Sequence, residues 1–274
     1  MTLCLTFVAS ATFVACINGP AVLTQHVEAR SVAADLQIQF AKAAEAANRA
    51  VMTDTDEAST GAADEARHAV QQVQANIDRL RPMLQSLGYA DEIRAMDAFV
   101  NRFDEYRKLD DEILPLAVEN TNLKAQRLSF GAGEEAVQDF RRALASVDHE
   151  ASANAVAAVL EIQVIQARHI AESDDAAMSR MEAQMATLEQ NARTAIGDLK
   201  RRTPAAMSAV NAALEALDRF KAVNSEIVAL SRRNSNVRSL ALSLGRKRVV
   251  TAECSDQLRV LLDVLDGHRL NATR

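Results

Sequence analysis

Six basic side chains crowd the last third of the chain: Arg232, Arg233, Arg238, Arg246, Lys247 and Arg248. An arginine guanidinium can grip a carboxylate with two parallel hydrogen bonds, so a cluster of this kind can take an amino acid or an organic acid. Arg246, Lys247 and Arg248 open a predicted helix, where cations are mildly unfavourable, which points to a use other than helix stability. Asn234 sits among these residues at an apolar-seam position. It could hydrogen-bond a ligand, or, like its counterpart Asn120, fix helix register at some cost in stability. The ligand-binding candidates are therefore Arg232, Arg233, Asn234 and Arg238. The competing view is that a charge run at a bundle tip is solvated, or meets anionic head groups beside a membrane.

Other chemistry is sparse. Glu65-Ala66-Arg67-His68 has the Glu-x-x-His spacing by which di-iron bundles present two ligands on one helix face. No other histidine (26, 149, 169, 268) has a glutamate three residues before it, so the second half of such a site is missing. Met178, Met181 and Met185 fall at heptad spacing, where methionine is a core filler before it is a soft-metal ligand. Cys4, Cys16 and Cys254 form no CxxC pair, and Cys254 reads as a small core residue. There is no Gly-rich phosphate loop, no GxSxG elbow and no Cys–His arrangement. The expectation is a protein without catalytic residues, metal or cofactor, and so not an enzyme.

The elements that must carry these residues are helices. Among 274 residues there are eight Gly, four Pro and no Trp, too few turn and aromatic residues for a β-rich fold. The net charge of −6 is spread over many sign changes, which argues against a nucleic-acid partner. Residues 1–24 differ in kind. No charged side chain occurs before His26, and Leu3 to Ile17 is strongly apolar ahead of Gly19-Pro20. This segment could be a membrane anchor, a cleaved signal, or a lipoprotein signal built on Phe13-Val14-Ala15-Cys16, and a buried core segment is the last option. In the first three cases the remainder lies outside the cytoplasm.

Apolar residues alternate three and four apart in several runs. One is Val70, Val73, Ile77, Leu80, Leu84 and Leu87; another is Met178, Met181, Met185, Leu188, Ala192, Ala195 and Leu199. This is a coiled-coil-like helix period that strands cannot produce. Breaks at 54–61, Gly88, Gly131 to Gly133, Ser173-Asp174-Asp175, Thr203-Pro204 and Gly245 predict helices over 26–53, 62–87, 90–130, 134–172, 176–201, 204–244 and 246–268. The fourth of these could break near Asp148, and kinks are expected at Pro82 and Pro115.

An internal repeat organises the helices. A shift of 114 residues lays Glu112-Ile113 on Glu226-Ile227, Asn120-Thr121-Asn122 on Asn234-Ser235-Asn236, and Leu128-Ser129-Phe130-Gly131 on Leu242-Ser243-Leu244-Gly245. Upstream, Leu36-Gln37-Ile38-Gln39 can be laid on Leu160-Glu161-Ile162-Gln163, a shift of 124. The expected fold is all-α, with two tandem antiparallel (up-down) four-helix-bundle units spanning 25–148 and 149–274.

The stretch from Tyr106 to Val147, with its Gly-containing turn and Glu134-Glu135-Ala136 opening the next helix, resembles the closing half of the four-helix-bundle sensor domain of bacterial methyl-accepting chemotaxis receptors. The apolar N-terminal segment is similar to that family's first membrane span, and the ending after Asp263 to the approach to its second. The resemblance implies a periplasmic sensor module anchored in the inner membrane and dimeric with a second copy. It would bind a small solute between helices and relay a helix displacement. The chain departs from the pattern in having two units, no second span and no cytoplasmic signalling hairpin, so it would be a receptor fragment or a stand-alone relative. A helical scaffold or adaptor of the cell envelope is the alternative.

Overall fold

A computed structural model describes residues 19–147 and 150–272. Among them the protein is all helix, with no strand. The helices are α1 (Gly19–Met52), α2 (Asp56–Leu87), α3 (Ala90–Glu119), α4 (Thr121–Leu128), α5 (Glu134–Leu144), α6 (Glu150–Ala171), α7 (Asp175–Arg202), α8 (Met207–Arg233), α9 (Ser235–Leu242) and α10 (Arg248–Ala272).

The local stops follow the expected chemistry. Gly88 has φ +70°, and its N–H and that of Tyr89 close back onto the carbonyls of Gln85 and Leu84, a helix end that only a residue free of Cβ strain adopts easily. Asp174 caps α7 by accepting from the Ala177 N–H at 2.6 Å. Pro204 starts the single tight turn that leads into α8. The helix expected over 134–172 ends at Leu144 and restarts at Glu150. Pro82 and Pro115 both lie inside continuous helices.

Two expected helices are divided where the sequence placed seam residues. Asn120 separates α3 from α4, and Asn234 separates α8 from α9, with φ of 53° and 54°. Among non-glycine residues asparagine tolerates this left-handed geometry best, because its short polar side chain adds little steric strain there, and here both side chains are held by bonds to residues distant in sequence. Eleven residues on, Gly131 (φ −99°, ψ −105°) and Gly245 (φ −85°, ψ −113°) form matching kinks in widened turns. The 114-residue repeat is thus a repeat of backbone conformation as well as of letters.

The chain forms two compact units. The first comprises the described parts of Met1–Ala47, Asp64–Asp110 and Arg246–Arg274, and the second comprises Asn48–Ala63 and Asp111–Gly245. Neither coincides with the expected halves 25–148 and 149–274, because α1, α2 and α3 each contribute residues to both units. In the first unit Phe40, Phe99, Phe103 and Tyr106 pack ring against ring with Leu36, Leu80, Leu84, Leu258 and Leu261 around them. In the second, Phe140, Val159, Ile162, Met181, Met185, Ile196, Leu217 and Phe220 share a core drawn from α5 to α8.

Burial also corrects the upstream register. A shift of 126 carries Ala29, Val32, Ala33, Leu36, Phe40 and Ala43 of α1 onto Ala155, Ala158, Val159, Ile162, Gln166 and His169 of α6, buried onto buried in every case. The shift of 124 would place buried Leu36 on Leu160, which is 36% exposed, and buried Phe40 on Val164, which is 63% exposed. A two-residue slip leaves the letters similar but turns the helix face by about 200°.

No described helix is long and apolar enough to cross a membrane. The anchor or signal expected over 1–24 falls mainly on residues outside the described ones.

Candidate functional site

The second unit is organised around a polar node. Because Asn120 and Asn234 break their helices, the first N–H groups of α4 and α9 lack intrahelical partners. Each helix start caps the other. The Thr121 N–H donates to Ser235 Oγ and the Ser235 N–H to Thr121 Oγ1, both at 3.0 Å. The Asn122 N–H donates to Asn236 Oδ1 and the Asn236 N–H to Asn122 Oδ1, both at 3.1 Å. Asn122 Nδ2 donates to Asn234 Oδ1 and Asn236 Nδ2 to Asn120 Oδ1, both at 2.8 Å. Asn234 Nδ2 also donates to the Glu172 carbonyl at 2.6 Å, at the end of α6. Asn120 Nδ2 donates to Asp56 Oδ1 at 3.1 Å, so the side-chain amides of Asn120, Asn122, Asn234 and Asn236 are all engaged within the protein, and the node serves to cap and join the two helix starts.

One side of this unit carries a cleft of about 260 Å³ between α6, α7 and α8. Ile162, Met185, Phe220 and Val228 give it an apolar base, and Glu182, Glu189, Lys221 and Asn224 give it polar sides. The repeat places different residues around this region than in the first unit. Phe99, Phe103, Tyr106 and Asp110 of the first unit correspond, at the shift of 114, to Ala213, Leu217, Phe220 and Asn224. Phe40 corresponds to Gln166, which donates to Asn224 Oδ1 at 2.7 Å and accepts from Ser129 Oγ at 2.6 Å. Three phenylalanines of the first core thus give way to Ala213, Leu217 and Gln166, while Phe220 keeps an aromatic ring in the cleft.

A relay of polar groups runs inward from the half-buried Glu182 at the cleft wall, with the half-buried Arg232 beside it, to the buried His169 and Ser231. Glu182 Oε1 takes the His169 Nε2 contact at 2.9 Å and the Arg232 Nε–H at 2.6 Å. The other ring nitrogen of His169, a fully buried residue, lies 2.6 Å from Ser231 Oγ. Glutamate is an acceptor only, so Nε2 carries the proton. If Ser231 donates to the Val228 carbonyl at 3.2 Å, Nδ1 must be protonated as well; if Ser231 donates to Nδ1, the ring is neutral. The Arg232 guanidinium holds the Glu182 carboxyl below the usual range, with His169 adding to it against the effect of burial. At Glu189 burial works against ionisation, but the bonds from Arg193 and Lys221 outweigh it and the carboxyl also stays low.

Ser231, His169 and Glu182 have the residue types of a hydrolytic triad without its function. Ser231 has no exposed surface, and its bond goes to Nδ1 while the carboxylate holds Nε2. A serine sealed in a core cannot attack a substrate carbonyl. What the relay can do is couple three helices, since Glu182 is on α7, His169 on α6, and Ser231 and Arg232 on α8.

The ligand candidates read from sequence do not converge. Arg232 spans Glu182, Ser179 and Asp175, Arg233 pairs with Glu119, Asn234 belongs to the buried node, and Arg238 is exposed. The rest of the basic cluster lies in the first unit. There Arg246 bonds Glu105 at 2.6 Å, and Lys247, 2% exposed, pairs with Asp110 beneath the Tyr106 ring, 4.9 Å from its centroid. Cys254 is buried in the same core, and burial pushes its thiol up to about 12, which leaves it without nucleophilic character. Met178, Met181 and Met185 are core, and Met185 also lines the cleft. Glu65 and His68 are both exposed, and among the described residues no three His, Cys, Asp or Glu side chains gather as a metal site would need.

Sequence reasoning missed Glu182, Glu189, Lys221, Asn224 and His169. Glu182 and Glu189 are seven residues apart, one face of a helix, yet so are many exposed pairs in this chain; only the packing against α8 distinguishes them. No family model matches the chain, and neither a curated protein nor a solved structure matches it.

Proposed function

We propose that the chain is the sensor region of a chemoreceptor-like signal-transduction protein, with two up-down four-helix bundles in tandem. In this reading it is anchored in the inner membrane through residues 1–24, lies in the periplasm and carries out no catalysis. A small polar solute, an amino acid or an organic acid, would enter the cleft of the second unit. The single observation behind the reading is that Glu182 is shared between the cleft and the relay to His169 and Arg232. A solute that draws on Glu182 changes the acceptor available to Arg232, two residues before the left-handed Asn234. Two packings of α8 against α6 and α7 would then differ in solute affinity, and binding would shift their populations.

The test is thermal shift and calorimetry on the full chain with amino acids and organic acids. A solute present at 100 times its Kd adds about 2.7 kcal/mol, which for a chain of this size raises Tm by roughly 5–10 °C. E182Q should abolish that rise. A well-folded protein that no compound stabilises would favour a helical scaffold of the cell envelope, a reading supported by the unusual outer face of α6.

A further inference from the structure

Helix α6 is apolar on two faces. Ala155, Val159, Ile162, Ile165 and His169 point into the core of the second unit. On the outward side Ala153, Ala157, Leu160, Val164, Ala167 and Ala171 are all exposed, Leu160 at 36% and Val164 at 63%. Their spacing is four, three, four, three, four, an uninterrupted heptad seam in a helix of 22 residues. A continuous exposed apolar stripe marks an interaction surface, and nothing in its own unit covers this side.

The other copy of the repeat keeps the same face. At the shift of 126 that matches burial, Ala153, Leu160, Val164 and Ala167 correspond to Val27, Ala34, Ile38 and Ala41 of α1, all exposed, with Val27 at 56% and Ile38 at 51%. Ser31 and Glu45 interrupt that stripe, so α6 carries the more complete one. Two diverged copies that kept an outward apolar stripe in one register have kept a contact surface, not a packing accident.

We infer that the outward seam of α6 pairs in parallel with the same seam of a second copy of this chain. In heptad terms Ala157, Val164 and Ala171 occupy a positions and Ala153, Leu160 and Ala167 occupy d positions. A β-branched residue at a with leucine at d favours two parallel strands, and the alanines let the backbones approach closely. Charge agrees. The flanking positions of a parallel pair oppose Val156 to Glu161 and Gln163 to Arg168, so no like charges meet. The seam runs about 27 Å, and an interface on that strip alone falls in the low size class. The pairing is therefore reversible, with Kd of roughly tens to hundreds of micromolar. It stands whether or not the cleft takes a solute.

The test is sedimentation velocity on the full chain from about 5 to about 500 µM, beside the double variant L160E/V164E. A circular-dichroism melt checks that the variant still folds, since both positions face outward. In parallel, V164C is oxidised in a background carrying C4S and C16S, because an a-position pair brings its Cβ atoms to about disulfide distance. T187C, on the exposed side of α7, is the control. The expected result is concentration-dependent dimers, at least a tenfold weaker association in L160E/V164E, and disulfide dimers from V164C but not T187C. A chain that stays monomeric, dimers unaffected by L160E/V164E or lost only in I38E, or cross-linking equal at T187C would each overturn the inference.

Discussion

Lys247 and Asp110 offer the most direct check on the physical reading of the first unit. Their side chains are 2% and 5% exposed, and Lys247 lies over the Tyr106 ring. Such a pair is costly to bury, because two charges leave water, but far costlier to half-remove. K247M leaves the Asp110 carboxylate in an apolar core with its counter-charge gone, a change worth about 3–5 kcal/mol. For a chain of this size each kcal/mol moves Tm by roughly 2–4 °C, so the first unit should melt roughly 6–20 °C lower. D110N/K247M removes both charges and gives the site the asparagine found at the corresponding Asn224, so it should recover most of that loss. The assay is a double-mutant cycle by calorimetry, with tryptophan-free far-ultraviolet melts as a second probe. A K247M melt within about 2 °C of the parent, or a double variant no more stable than the single one, would show that the buried charge pair does not hold this core.

Two further outcomes follow from the second unit. N234A should lose more stability than N234G by about 1–2 kcal/mol, because both lose the Asn122 and Glu172 bonds but only alanine is strained at φ 54°; urea titration measures the difference, and equal losses would refute the backbone account. The low-lying Glu182 carboxyl contributes stability that is present above its ordinary pKa near 4.5 and lost as pH falls through its lower folded value. E182Q should accordingly be less stable than the parent at pH 7, with the gap closing as pH is lowered below about 4; a gap that is constant with pH would show that the Arg232 and His169 bonds do not depend on the charge.

Much of the fold was legible in the letters because helix period and helix ends are local properties. The seam from Val73 to Leu84 and that from Met178 to Leu199 lie on the buried sides of α2 and α7, and the stops at Gly88, Asp174 and Pro204 fall where side-chain and backbone chemistry require. Asn120 and Asn234 stand out in the sequence as polar residues on apolar seams. Heptad spacing cannot distinguish an asparagine inside a helix from one that breaks it, since the deciding bonds come from residues 114 positions away. The charge of the arginines is visible in sequence, but whether a guanidinium is available depends on its neighbours. Arg232 is held by Glu182 and Arg233 by Glu119, both brought up from other helices.

Sequence alone determined an all-helical chain with a 114-residue repeat, because hydrophobic period, scarcity of glycine and proline, and capping residues act within a few turns. Tertiary structure alone decided how the segments divide into units, where the polar cleft opens, and which charges are neutralised. It also set the register of α1 against α6, since burial is a property of a helix face and its neighbours. Two similar four-residue words, Leu36 to Gln39 and Leu160 to Gln163, turn opposite faces to their cores, and no reading confined to the words could have told them apart.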